Sequence, residues 1–121
     1  MPAQRAVTAY QVERLNCAQS ILRAFQEDRG IPEEVVTQAD ALGSGRAPHG
    51  RCGALHAALQ LVSDETAIDK VCMEFVAMAG SEKCREIRKK RALACTQCIE
   101  LAATLVAMNC RPEEQGGSTC C

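Results

Sequence analysis

Cysteine is the residue type in this chain with the clearest capacity for chemistry. There are nine cysteines among 121 residues, although a domain of this length can bury a sizeable core without covalent cross-links. Two of them form a C-x-x-C unit, Cys95 and Cys98. On a helix this spacing puts both side chains on one side with Cβ atoms about 5–6 Å apart, so the pair could share a metal or form a disulfide. Packing of both as small apolar side chains is the alternative, and the motif alone does not decide between them.

The surroundings of Cys95 and Cys52 favour a thiolate at each position. The basic run Arg85–Arg91 precedes the C-x-x-C unit near a predicted helix start, and positive charge and a helix N-terminus both stabilise thiolate. Cys52 follows a glycine-rich loop, residues 43–53, and directly precedes a predicted helix. Unpaired N–H groups at a helix start attract anionic sulfur. The basic run could also be a solvated face, and the loop a turn with an incidental cysteine.

Cys17 and Cys84 extend these two cysteines to a set of four. Taken singly, each is typical of a packed residue. Together with Cys52 and Cys95 they offer four thiols from four predicted helical segments, and this number and type suit an iron–sulfur cluster. Zinc is the chemical rival because it also binds four thiolates. Zinc sites usually show paired local knuckles, however, and this chain has one C-x-x-C unit.

The remaining cysteines divide into buried and terminal ones. Cys72 lies on an apolar helix face and is predicted to be structural, as is Cys110. Cys120 and Cys121 end the chain as a vicinal pair on a predicted flexible tail. Such a tail could carry thiols to a buried site as a resolving pair or for soft-metal hand-off, or it could have no role.

Charge, aromatic content and the lack of hydrolytic motifs exclude several functions. The chain has fourteen basic and fifteen acidic residues, with no Trp, one Tyr and two Phe. It therefore lacks both the excess positive charge and the aromatic stacking surface that are typical of nucleic-acid binding. No Ser/His/Asp or paired-carboxylate arrangement stands out. His49 and His56 flank Cys52 and could be ligands or proton carriers, but a surface-loop residue and a packed helical residue are the commoner interpretations.

Compartment and partners follow from the same sequence. We find no secretory signal and no run approaching the roughly 20 apolar residues of a membrane span. We therefore expect a cytoplasmic protein without membrane insertion, in a compartment where clustered cysteines bind metal or do redox work. An unidentified redox protein is the expected partner, and a homodimer is possible because pairing would add burial.

The spacing of apolar residues predicts the elements that position these cysteines. The pattern is all-α, a single-domain bundle of about five to six helices, with the glycine-rich loop before the third. The domain is predicted over residues 1–110 and the tail over 111–121. The predicted helices cover about 7–29, 33–41, 53–62, 65–79 after a cap at Asp64, a short segment with Cys84 after a cap at Ser81, and about 92–109.

The order of the cysteines and their neighbours resembles a family of small redox-active bacterial and archaeal proteins named for a C…CGAxxG…C…C motif. The matching residues are Asn16-Cys17-Ala18-Gln19, Cys52-Gly53-Ala54, Lys83-Cys84-Arg85-Glu86, and Cys95 with Ile99 and Ala102-Ala103 behind it. The resemblance implies an all-helical fold with Cys17, Cys52, Cys84 and Cys95 as the functional set. A similar domain occurs in a type of dihaem cytochrome that also holds an iron–sulfur cluster, which favours cluster binding. Ala57 replaces the motif's last glycine, and Cys98 and the terminal pair are additions to the pattern.

The leading hypothesis is therefore a non-enzymatic iron–sulfur protein that passes or stores electrons, with the four family-like cysteines as ligands. Enzymatic activity is left open, and would take the form of a thiol–disulfide oxidoreductase using Cys95 and Cys98 with the terminal pair as resolving thiols. The third hypothesis is a soft-metal binding or delivery protein that uses the same terminal pair.

Overall fold

The chain folds as helices throughout the part that its structure describes. This computed structural model describes residues 2–43, 46–62, 64–90 and 93–109; Cys110, Cys120, Cys121 and the predicted tail lie outside them. Within those ranges there are seven α-helices and no β-strand, so the all-α prediction is confirmed with a helix count slightly above the expected five to six. The helices are α1 Pro2–Gln11, α2 Cys17–Arg29, α3 Glu33–Gln38, α4 Gly53–Leu61, α5 Glu65–Ala79, α6 Cys84–Lys90 and α7 Cys95–Met108, with 3₁₀ turns at Ala39–Leu42 and Pro48–Gly50.

The predicted first helix, residues 7–29, is wrong, because two helices occupy this segment. Arg14 has φ 62, in the left-handed region that does not continue a helix. Asn16 then caps α2: its side-chain oxygen accepts from the N–H of Gln19 at 2.7 Å, and the Gln19 side chain accepts from the N–H of Asn16 at 3.1 Å. This reciprocal capping box fixes a helix start. Cys17 is consequently the first residue of α2 rather than a mid-helix residue.

Small residues hold the central helices close together. Helix α4 packs against both α2 and α7, and α1 packs against the same two helices. The fully buried alanines of these helices include Ala18, Ala54, Ala57, Ala58, Ala102 and Ala103. Larger side chains, among them Phe75, Ile21, Leu55 and Ile99, fill the remaining core. The alanine at 57, where the resembling family has glycine, is thus part of a tightly packed interface.

The other helix boundaries agree with the sequence more closely. The Asp64 side chain caps α5 by accepting from the N–H of Ala67 at 3.2 Å, and Gly80 ends it with φ 88. The Ser81 cap predicted for α6 is wrong, because α6 begins at Cys84 and Lys83 occupies the N-cap position. The Ser81 hydroxyl instead accepts from the N–H of Lys83 at 3.0 Å, just before the helix. Helix α7 begins at Cys95, later than the predicted start near 92. None of the described helices has the length and apolar character needed to cross a membrane.

Candidate thiol site

Five cysteine side chains line one cavity of about 70 Å³. This is several times the roughly 10–15 Å³ that a single water molecule requires. The cysteines are Cys17, Cys52, Cys84, Cys95 and Cys98. The structure therefore brings together all four cysteines of the predicted set and one of the three predicted accessory thiols, the other two being outside the described residues. The rest of the wall is formed by Tyr10, Asn16, Ile87, Arg88 and Leu93.

Most of these cysteines stand at the beginning of a helix. Cys17 and Cys95 are the first residues of α2 and α7, which have 13 and 14 residues, and Cys52 is the N-cap of the nine-residue α4. The free N–H groups and the positive end of the dipole at a helix start stabilise nearby negative charge. Three helix N-termini thus point positive ends at one group of sulfurs.

Three contacts hold Cys52 and its neighbour Arg51 against the segment that leads into α6. The N–H of Cys52 donates to the carbonyl of Glu82 at 2.7 Å, and an isolated antiparallel bridge joins Arg51 to Lys83. The Arg51 guanidinium also pairs with the Glu82 carboxylate at 3.0 Å. Because Cys84 lies only two residues after Glu82, these contacts also bring the Cys84 thiol to the cavity that Cys52 lines.

The glycine after Cys52 allows α4 to approach Cys17 closely. A Cβ at Gly53 would lie 2.7 Å from both the Cys17 sulfur and the Leu42 carbonyl oxygen, well inside ordinary contact distance. Gly43 is equally constrained, since a Cβ there would lie 2.8 Å from the Cβ of Asn16. Close packing therefore explains why glycine follows Cys52 in the sequence.

Three of the thiols form a hydrogen-bonded series from Cys17 through Cys52 to Cys98. The hydrogen bond with Cys17 lowers the pKa of Cys52, but the contact with Cys98 and burial outweigh it and raise the pKa to about 12. The hydrogen bond with Cys52 lowers the pKa of Cys98 despite its burial. The folded surroundings of Cys52 thus favour its protonated thiol, contrary to the thiolate expected from its position at a helix start. Both residues are buried, at 5% and 4% exposure.

Arg88 and Tyr10 contact the other side of the site, at Cys95. The Arg88 guanidinium lies 3.9 Å from the Cys95 sulfur, and the Tyr10 hydroxyl is hydrogen-bonded to the same thiol. Burial raises the pKa of Tyr10, and Cys95 adds to that rise. Burial also raises the pKa of Cys84, while the charge of Arg88 opposes it. Arg88 is consequently the cation that stabilises negative charge on this side of the cavity.

The sequence did not indicate Tyr10 as a site residue, and it indicated Arg88 only as one member of the basic run whose charge could stabilise a thiolate at Cys95. The basic run is a solvated face, and Arg85, Arg88 and Lys89 are all exposed. Arg88, however, is four residues after Cys84 on α6, and that spacing puts the two on one helix face. This spacing could have revealed Arg88. No comparable signal distinguishes Tyr10, because α1 approaches the site through tertiary packing.

Three candidates from the sequence do not line the cavity. Cys72 is half-buried on α5, and burial raises its pKa, in keeping with the structural role expected of it. His49 is exposed in the loop. His56 is half-buried on α4, its Nδ1 has no hydrogen-bond partner among the described residues, and burial lowers its pKa.

The same geometry bears on metal binding. Over the described ranges, no three His, Cys, Asp or Glu side chains converge closely enough to hold one metal ion. The five cysteines instead line a common cavity. This differs from a structural zinc site, where four ligands lie about 2.0–2.3 Å from a single ion.

The described residues form an all-helical fold in which five cysteines, two of them buried and three half-buried, line one cavity. Residues 15–109 match the model of the family described as "Putative redox-active protein (C_GCAxxG_C_C)", and the chain belongs to that family. The resemblance drawn from the cysteine pattern is thereby confirmed. The description writes the central motif as Gly-Cys-Ala-x-x-Gly, whereas this chain has Cys52-Gly53-Ala54 and ends the motif with Ala57. No curated protein and no solved structure matches the chain.

Proposed function

We propose that this redox-active family member holds an iron–sulfur cluster on Cys17, Cys52, Cys84 and Cys95 and uses it to transfer or store electrons. The observation that carries the proposal is the convergence of these thiols on one cavity from the starts of four helices. Four cysteine thiolates are the usual ligand set of [2Fe–2S] and [4Fe–4S] clusters.

The spread of the sulfurs supports a cluster over zinc. A single zinc ion needs its four ligands around one point, which the described residues do not provide. A cluster distributes its ligands over two or more irons, so its thiolates stand around a space rather than a point. The cavity of about 70 Å³, which all four proposed ligands line, supplies such a space.

The charges and the apolar wall of the cavity also fit. When bound, a cluster accepts and releases single electrons and carries negative charge with its thiolates. This chain would stabilise that charge with Arg88 and with the N-termini of α2, α4 and α7. Ile87 and Leu93 line the cavity with apolar surface, which limits the access of water. Cys52 must lose a proton whose pKa is about 12, so ligand formation releases protons and is favoured by higher pH.

The compartment and partner remain part of this proposal. A reducing cytoplasm is the proposed compartment, because clustered cysteines there bind metal or do redox work. The electron donor or acceptor would be another redox protein.

Serine substitution of the ligands tests the proposal. The full-length reduced protein would be reconstituted anaerobically with ferrous iron and sulfide, and the visible absorbance of the cluster recorded. We expect C17S, C52S, C84S and C95S each to lose most of that absorbance. The matched control is C72S, which removes a free cysteine outside the cavity and should retain it. Full absorbance in C52S would refute this ligand set.

A thiol–disulfide oxidoreductase is the second candidate, and one feature favours it. Cys95 is a half-buried first residue of α7 with Arg88 at 3.9 Å, and Cys98 follows within one turn. This arrangement predicts that the protein reduces a disulfide substrate and that the C95S variant loses this activity. Soft-metal delivery depends on Cys120 and Cys121, outside the described residues, and stays a prediction.

A further inference from the structure

Cys98 is a fifth thiol at a site that needs four. It lies on the first turn of α7, is 4% exposed, lines the same cavity and is hydrogen-bonded to Cys52. The proposed ligand set includes Cys52 but not Cys98, so it assigns no role to Cys98. Helices α4 and α7 pack directly against each other, so this pair of thiols is held in contact by the core.

We propose that Cys52 and Cys98 form a reversible disulfide when hydrogen peroxide reaches the protein without a bound cluster. In the disulfide, Cys52 could not bind iron. A thiol reductant would restore the Cys52 thiol and with it the capacity to bind iron. The disulfide itself does not depend on the proposed function; only its effect on iron uptake rests on it.

The geometry favours this pair over the C-x-x-C pair. Within a helix, residues three apart keep their Cβ atoms about 5–6 Å apart, whereas a disulfide brings them to about 3.5–4.5 Å. Cys95 and Cys98 are both on α7, so joining them requires the first turn to distort. Cys52, the N-cap of α4, and Cys98, on α7, belong to two different helices that pack against each other, and both line the same cavity, so joining them does not require a helical turn to distort.

The size of the cavity selects the oxidant. Both sulfurs are buried, and the space beside them is about 70 Å³. Hydrogen peroxide, only slightly larger than water, fits such a space. Glutathione disulfide, with two peptide arms, does not. Small peroxide is therefore expected to oxidise the pair much faster than an equal concentration of glutathione disulfide.

The reaction balances in two steps. The Cys98 thiol gives up its proton as its sulfur attacks one peroxide oxygen, so that an S–O bond forms and the O–O bond breaks, and the departing hydroxide takes that proton to become water. The Cys52 sulfur then attacks the resulting Cys98 sulfenic acid; the S–S bond forms, the S–O bond breaks, and the hydroxyl leaves as a second water with the Cys52 proton. Two thiols lose two electrons in all, and one peroxide gains them. Two equivalents of a thiol reductant reverse the change by disulfide exchange.

The test is peptide mapping of the full-length cluster-free protein after peroxide treatment and alkylation of the remaining thiols. We expect one dominant cross-linked peptide joining Cys52 to Cys98, lost on addition of dithiothreitol. The link should be absent in C98S and unchanged in C72S. A variant with serine at 110, 120 and 121 should also retain it. A dominant link from Cys52 to Cys17, from Cys98 to Cys95 or to a C-terminal cysteine, or no internal link, would overturn the proposal. Because wild-type mapping alone can give these results, the test stands even if C98S does not fold.

Iron uptake separates this proposal from the one on which its consequence rests. Peroxide-treated wild type should take up no cluster iron until reductant is added, whereas reduced wild type should take it up at once. If reduced wild type binds no iron, the cluster proposal fails while the mapping result still decides the disulfide. If oxidised and reduced protein take up iron equally, the disulfide does not close the site.

Discussion

Replacement of Gly53 by alanine should disturb both the stability of the protein and its thiol site. Gly53 is the first residue of α4, and the added Cβ would lie 2.7 Å from the Cys17 sulfur and from the Leu42 carbonyl oxygen. Ordinary contacts of this kind are about 3.5–4.0 Å, so the groups must separate by about 1 Å. The Cys17 side chain can rotate, but the Leu42 oxygen belongs to the backbone. The start of α4, with Cys52, must therefore shift.

The sign of the change in stability is the informative quantity. A glycine-to-alanine change in an unhindered helix stabilises by up to about 1 kcal/mol, whereas overpacking costs about 1–3 kcal/mol. We expect a net loss of about 1–2 kcal/mol in the free energy of unfolding of G53A. At about 4 °C per kcal/mol for a domain of this size, the Tm should fall by about 4–8 °C.

Thermal unfolding of the reduced protein, followed by far-ultraviolet circular dichroism, gives the stability, and cluster reconstitution gives the state of the site. The matched control is Gly30→Ala, at the end of α2 opposite Cys17. It has φ 61 and no atom within 4 Å of the added Cβ, so it should cost about 1–2 kcal/mol through backbone strain alone. We expect only G53A to impair reconstitution. A Tm of G53A at or above that of wild type would refute the close approach, and equal reconstitution of the two variants would refute its link to the site.

Three further predictions concern capping, acid stability and electron affinity. Asn16→Ala removes the α2 cap and should lower the free energy of unfolding, measured with urea, by about 1–2 kcal/mol. An unchanged urea midpoint would contradict this. The hydrogen bond from Arg23 lowers the pKa of Glu33 from 4.5 to about 2, so its contribution to stability is present above pH 4.5 and is lost as the pH falls towards 2. Between pH 4.5 and 2, the Tm of Glu33→Gln should therefore fall less than the Tm of wild type. Parallel plots of Tm against pH for the two proteins would exclude this contribution of Glu33 to stability. Arg88→Met should lower the reduction potential of the reconstituted protein by about 40 mV, equivalent to about 1 kcal/mol for one electron, because a cation beside the site favours the reduced form. The exposed Arg85→Met is the control for a potentiometric titration, and equal potentials of the two variants would contradict this role.

The fold was predictable where local signals are strong. Apolar spacing and the absence of strand patterns gave the all-α class, and Asp64 and Gly80 marked the ends of α5 correctly. The break between α1 and α2 was missed because the apolar spacing continues across it. The capping box of Asn16 and Gln19 was its local signal. Capping geometry, in other words, outweighs periodicity at such a boundary.

The site was predictable in its residue types and not in its arrangement. Four ordered cysteines with their neighbours were enough to indicate the family, and all four line the cavity. The contact between Cys52 and Cys98 depends on how α4 crosses α7, and the place of Tyr10 depends on how α1 packs. Such long-range geometry leaves no pattern in a single sequence. The division into residues 1–110 and a tail stays a prediction, as does the homodimer.

The most direct test of the central claim is an anaerobic purification with iron, sulfide and zinc analysis and a visible spectrum of the same sample. We expect a coloured protein that contains matched iron and sulfide and little zinc. A colourless protein that remains so after attempted reconstitution with iron and sulfide would contradict it. In that case thiol exchange at Cys95 and Cys98 would become the leading hypothesis.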